Sequence, residues 1–217
     1  MKAGSKEPTE SCRIGPSKVV SKKITEIWNE KDLKPIKSYK EKKMDDIKIL
    51  EGKKVLIVDD EEDILETLVE LLDMCAVDTA KDFNSAEKLM HKNKYDIAVF
   101  DIMGVNGYSL LNTAREKNIP AIMLTAHALN PDNLVKSIKG GTQAYLPKHK
   151  MDEIALYMAE ILDNFQKGVQ KSGNWFARLK SLFDEKFGED WQKKDKQFWQ
   201  DFDKRYVVTK EELRQAL

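Results

Sequence analysis

The chain has little cysteine, no excess of charge of either sign and no long apolar run. Its two cysteines, Cys12 and Cys75, stand far apart, one in a polar leader and one in an apolar stretch. That is no disulfide framework, and it fits a reducing compartment. Lys and Arg number 37 against 37 Asp and Glu, a formal net charge of zero, so no global field draws the protein to nucleic acid or to an anionic membrane. No run approaches the roughly 18 apolar residues of a membrane span. The opening MKAGSKEPTESCRIGPSK lacks the apolar centre of a signal peptide. Together these absences predict a cytoplasmic protein with no membrane insertion.

What is present suffices for one core of ordinary domain size, with residues left over: 217 residues, 41% of them hydrophobic. Residues 1–17 are rich in Gly, Pro, Ser and charge and read as a disordered leader. Residues 18–51 read as a helical extension and linker. In it, Val20, Ile24, Ile27 and Trp28 form one apolar stripe at helical spacing, and the charged SYKEKKMDDIKILEG leads to Gly52. The packed domain is expected to begin at Lys53.

From Lys53 apolar strands alternate with amphipathic helices. VLIV, CAVDTA, DIAVF, AIMLT and QAYLP read as five strands, each followed by a helix. Asn130 before Pro131 is an N-cap with proline at the first helical position, and Gly140-Gly141 closes that helix. Strands that are apolar throughout and separated by helices predict an α/β fold, a parallel sheet covered on both faces. Ligands of such sheets bind outside the carboxyl ends of the strands, where the strand order reverses.

Polar residues collect at those ends. KKVLIVDDEED delivers Asp59 and Asp60 after the first strand, inside an unbroken run of five acids. Asp101 ends the third strand, Thr125 ends the fourth and Lys148 follows the fifth. Adjacent carboxylates repel unless something cationic joins them. A hard divalent cation such as Mg2+, which takes one or two carboxylates plus waters and phosphate oxygens, would suit the set. One carboxylate could then act as nucleophile toward a phosphoryl group, with lysine and metal neutralising its oxygens and Thr125 donating a hydrogen bond. The plainer alternative is that Asp59-Asp60 caps the next helix and Asp101 caps a turn. Five polar residues on one rim favour a site over five separate caps.

These same segments, VLIVDDEEDI, YDIAVFDIM, AIMLTAHA and AYLPK, resemble the receiver domain of bacterial two-component response regulators over residues 53–165. The resemblance implies a flavodoxin-like (βα)5 fold with strand order 2-1-3-4-5. It implies Asp101 as phosphoacceptor, Asp60 as a direct Mg2+ ligand and Asp59 as a ligand mostly through water. The backbone carbonyl of Met103 completes the metal site, and Thr125 and Lys148 hold the phosphoryl group. Tyr145 matches an aromatic that turns inward as Thr125 meets the phosphate, and His127 matches a position that tunes dephosphorylation. A sensor histidine kinase or phosphotransfer protein would be the donor, and no enzymatic activity beyond self-phosphorylation and slow self-dephosphorylation is implied. Two features depart from the pattern. DIMGVNG reaches Gly107 two residues sooner than usual and lacks proline. His149 replaces the proline that follows the lysine, so a trans Lys148–His149 bond is expected, a cis bond there costing about 2.5–4 kcal/mol.

Residues 166–217 form an aromatic-rich tail holding three of the four tryptophans. Phe176, Leu179, Leu182, Phe183 and Phe187 recur at helical spacing, DKQFWQDFDKRY repeats the pattern, and Thr209 with Glu212 makes a capping box. These helices are expected to cover the protein's own domain or to dock a downstream protein, possible homodimer included. Three other functional classes stay open: a DNA-binding regulator with an unusual output tail, an inert receiver-like scaffold, and a phosphohydrolase. Against the last, Met103 stands where such enzymes often place a second acid.

Overall fold

The computed structural model describes residues 45–126, 129–168 and 173–206. The Val20–Trp28 stripe, the capping box at Thr209 and His127 lie outside the described residues. At the core is a five-stranded parallel sheet of order β2-β1-β3-β4-β5, built from β1 (Lys54–Val58), β2 (Ala76–Ala80), β3 (Ile97–Asp101), β4 (Ala121–Thr125) and β5 (Ala144–Pro147). Between and after them run α1 (Glu62–Leu71), α2 (Phe83–Lys92), α3 (Gly107–Glu116), α4 (Pro131–Gly140) and α5 (Ile154–Gln166). This is the expected flavodoxin-like (βα)5 arrangement, and the central strands β3 and β4 are buried along their whole length, as a sheet covered on both faces requires.

Local chemistry fixes the helix ends. The Asn130 side chain accepts the Asn133 N–H at 2.9 Å, Pro131 opens α4, and Gly141 closes it in the left-handed region at φ 93°. Asp82 caps α2 in the same way, accepting the Ser85 N–H at 2.9 Å. No such cap serves α1. Its N-cap residue is Glu61, without a side-chain cap bond, and Asp59 meets the helix entrance by accepting the Glu61 N–H at 3.0 Å.

The core begins earlier than expected. A 310 turn at Lys48–Leu50 packs against α5, and Leu50 is fully buried. The density of charge in SYKEKKMDDIKILEG conceals a few apolar residues, Ile47, Ile49 and Leu50, that the core uses.

The tail is part of the body. Two helices, α6 (Gly173–Phe187) and α7 (Lys196–Tyr206), joined by a 310 turn at Trp191–Asp195, follow α5. Of the two edge strands, β2 is half exposed whereas all of β5 is buried, because α6 packs on it. Covering an edge in this way removes a template for unwanted strand pairing. Phe183 is fully buried at the centre of the cover, with ring centroids 6.4 Å from Tyr145, 6.5 Å from Trp175, 5.9 Å from Phe176 and 6.2 Å from Trp191. Such tilted and edge-on pairs contribute about 0.5–1.5 kcal/mol each beyond area burial. The Trp191 indole N–H is satisfied by Asp184 Oδ1 at 2.9 Å. Polar contacts reach the helices on both sides of β5. Arg178 pairs with Glu160 of α5 at 3.2 Å, Lys194 pairs with Asp132 of α4 at 2.7 Å, and Lys139 of α4 lies 5.1 Å over the Phe198 ring.

Candidate functional site

The parallel register carries the acids together. Val58 of β1 pairs with Phe100 of β3, so Asp59 and Asp101, one residue further along each strand, leave the sheet side by side. Thr125 ends β4, where it pairs with Pro147 of β5, and Lys148 follows. All four side chains are buried, Asp59 to 1% and Lys148 to 7% residual exposure. As expected, the Lys148–His149 bond is trans, since no described peptide bond is cis.

The cation at the centre is Lys148. Its Nζ lies 3.0 Å from Asp59 Oδ1, 2.8 Å from Asp59 Oδ2, 3.1 Å from Asp101 Oδ1 and 2.6 Å from Glu61 Oε1. Burial alone would push this ammonium's pKa down. Hydrogen bonds to Asp59, Glu61 and Asp101 outweigh it, and the net shift is upward. Asp59 also titrates above the usual carboxylate range, because burial costs its ionised form more than one shared ammonium returns. Asp59 Oδ2 is buried and has no hydrogen bond of proper geometry. Glu61 was not singled out from the run of acids. Its role depends on a side chain turning back over the pocket from the extended residue ahead of α1, which no spacing rule reveals.

Asp101 is held on both sides. While Oδ1 faces Lys148, Oδ2 accepts the Met103 N–H at 2.7 Å and the Gly104 N–H at 3.2 Å. The turn-capping alternative is therefore correct as far as it goes, and one carboxylate serves both the turn and the pocket. The short DIMGVNG loop closes through Asn106 in the left-handed region at φ 55° and through Gly107. A Cβ on Gly107 would run into the backbone carbonyl of Asp101, so only glycine lets the loop curl this tightly. Met103 is exposed on the loop.

Asp60 points elsewhere. Its carboxylate fills the space that a Cβ on Gly104 would need, against the same loop. Thus Asp59 and Asp101 meet on Lys148 while Asp60 stands beside them, and among the described residues no three such side chains form a ready-made metal cage. Mg2+ does not require one, because it retains several waters. The donor chemistry fits it. Asp59, Asp60, Glu61 and Asp101 against Lys148 are four formal negative charges against one positive, and a buried Asp59 oxygen lacks a hydrogen bond.

Tyr145, expected to be a mobile aromatic, is fully buried beneath Phe183. Its hydroxyl lies near the Thr125 side chain and the backbone of Asn130, and burial raises its pKa. Thr125 thus joins the pocket to the tail.

Comparison with known proteins agrees with this geometry. Residues 55–159 match the response regulator receiver domain family. The chain is 34% identical over 128 residues to a two-component response regulator of Arabidopsis thaliana, covering 56% of this chain and 22% of that protein. It is 30% identical over 138 residues to the transcriptional regulatory protein RprY of Bacteroides fragilis, covering 60% of this chain and 58% of that protein. Among solved structures, a CheY-like receiver domain from Methanospirillum hungatei superposes with a TM-score of 0.50 at 27% identity, over 54% of this chain and 98% of that one. Residues 55–159 are therefore a response regulator receiver domain. Similarity extends to plant as well as bacterial proteins, and the match spans about a fifth of the first relative and 58% of the second. No helix among the described residues is long and apolar enough to cross a membrane.

Proposed function

We propose that the protein is a signalling switch that accepts a phosphoryl group on Asp101 from a histidine kinase or phosphotransfer protein and passes the change to its own C-terminal helices. The observation that carries the phosphoacceptor reading is the Asp101 carboxylate lodged between Lys148 and two backbone N–H groups, at the carboxyl ends of the central strands of a receiver domain.

In the transfer, an Asp101 oxygen forms a bond to phosphorus as the bond from phosphorus to the donor's imidazole nitrogen breaks. The imidazole leaves with the electron pair and takes up a proton. Lys148 neutralises phosphoryl oxygens, and Thr125 donates its hydroxyl proton to one of them. Asp59, Asp60, Asp101 and the Met103 carbonyl would hold Mg2+, which supplies charge neutralisation at the phosphoryl oxygens. Water attack on phosphorus later restores the carboxylate and releases inorganic phosphate.

Output follows from Thr125. A hydroxyl has one proton to donate, and once it turns to the phosphoryl group, the buried Tyr145 hydroxyl loses a partner. The Tyr145 ring then shifts under Phe183 and loosens α6 from β5. The surface so uncovered is the α4–β5–α5 face, available to a downstream protein or a second copy. The aromatic packing of the tail on its own domain supports this reading over a DNA-binding output.

Incubation with Mg2+ and acetyl phosphate, followed by intact-mass and peptide mapping, tests the acceptor. One hydroxylamine-labile phosphoryl group on Asp101 is expected, lost without Mg2+ and in Asp101→Asn. Equal labelling of Asp101→Asn would refute the assignment.

A further inference from the structure

Lys148 holds three carboxylates, and they are not equivalent. The side chains of Asp59 and Asp101 are 1% and 7% exposed, whereas that of Glu61 is 58% exposed and makes the shortest contact, 2.6 Å. The Glu61 backbone N–H donates to Asp59 Oδ1 at 3.0 Å. Its backbone is extended, at φ −87° and ψ 113°, just ahead of α1. The more exposed side chain thus reaches Lys148 from the solvent-facing side of the pocket, while its backbone is held by the same aspartate that binds the lysine.

We propose that Glu61 is a positioning residue that draws Lys148 toward the mouth of the pocket in the unphosphorylated protein and competes with the phosphoryl group for it. The proposal rests on Asp101 as phosphoacceptor. An ammonium has three protons, and all three have carboxylate partners. When Asp101 carries a phosphoryl group, its carboxylate loses its charge and frees one ammonium proton. The ammonium can give the new oxygens a second proton only if Asp59 or Glu61 lets go. Releasing Asp59 would leave a buried carboxylate uncompensated, a costly outcome. Glu61, already more than half exposed, keeps its carboxylate hydrated when it lets go of the lysine. Glu61 is thus the partner that yields, and its pull on Lys148 shortens the lifetime of the phosphorylated state.

The test is a double-mutant cycle at saturating Mg2+ using wild type, Glu61→Gln, Lys148→Ala and the double variant. Each is labelled with acetyl phosphate, freed of donor and followed by intact mass. Glu61→Gln is expected to slow loss of the phosphoryl group about two- to fivefold, the range an exposed ion pair supports, and to change nothing in the Lys148→Ala background. An equal effect in both backgrounds would mean that Glu61 acts by repelling anions, and no effect or faster loss in the wild-type background would also overturn the proposal. If wild type takes no phosphoryl group at all, the reading of Asp101 fails separately. The latch is then judged on the rate of Lys148 reductive methylation without any donor. Faster methylation in Glu61→Gln supports it, and an unchanged rate refutes it.

Discussion

A single ammonium cannot neutralise the acids gathered around Lys148, and Asp59 bears the consequence. Burial raises its pKa, so folding disfavours its ionised form. Its contribution to stability is then present below the ordinary carboxylate pKa and is lost as pH rises through the raised folded value. At neutral pH the metal-free protein carries this cost, while Lys148 retains Glu61 and Asp101 as partners. Asp59→Asn, equal in shape and without the charge, is expected to raise the metal-free melting temperature at pH 7 by a few degrees. The gain should shrink as pH falls to where the wild-type carboxyl is protonated. A lower melting temperature at pH 7, measured by calorimetry, would show that the pair with Lys148 outweighs burial. At this scale the sequence discloses Asp59, Asp101, Thr125 and Lys148, because each terminates an apolar strand and parallel strands share one carboxyl rim. Glu61 stands beyond the strand end, and its contact with Lys148 depends on a side-chain direction that spacing does not reveal. Asp60 follows β1 as the sequence places it, and its carboxylate faces Gly104.

Among the elements, β5 and α6 form the hinge of the account. Aromatic spacing in the tail predicts helices, and both are found, but periodicity cannot tell what an apolar face will cover. Here it covers β5, an edge strand that is buried along its whole length. Phe183 is the residue through which that cover touches Tyr145. Phe183→Ala removes a fully buried ring and should destabilise the packed body by about 3–5 kcal/mol. Because the phosphoryl pocket lies at the strand ends and not under α6, labelling of Asp101 by acetyl phosphate should persist in this variant. Its amides in α6 should exchange faster than in wild type even without phosphoryl donor, as seen by hydrogen exchange with peptide mass analysis. Full wild-type protection of α6 in Phe183→Ala would show that the ring does not hold the tail. The loop DIMGVNG was legible as short, yet the reason it can be short, the absence of a Cβ at Gly107 against the Asp101 carbonyl, needs the folded backbone.

Across the whole molecule, the pocket, Thr125, Tyr145 and the tail form one packed series. Asp101 and Thr125 end adjacent strands, the Tyr145 hydroxyl meets Thr125, and its ring meets Phe183. A continuous set of contacts is the means of coupling, and coupling itself is a difference in packing between two states. The charge balance and the helical tail were readable from composition and spacing, whereas the placement of the tail on the α4–β5–α5 face was open between the protein's own domain and a partner. The most direct measurement is hydrogen exchange over residues 173–206 in the full chain, with Mg2+ alone and with Mg2+ plus the phosphoryl mimic beryllium fluoride, in wild type and in Asp101→Asn. Faster exchange in α6 and α7 on adding the mimic, in wild type and not in Asp101→Asn, is the predicted result. Unchanged exchange throughout the tail while the mimic is bound at Asp101 would contradict the account.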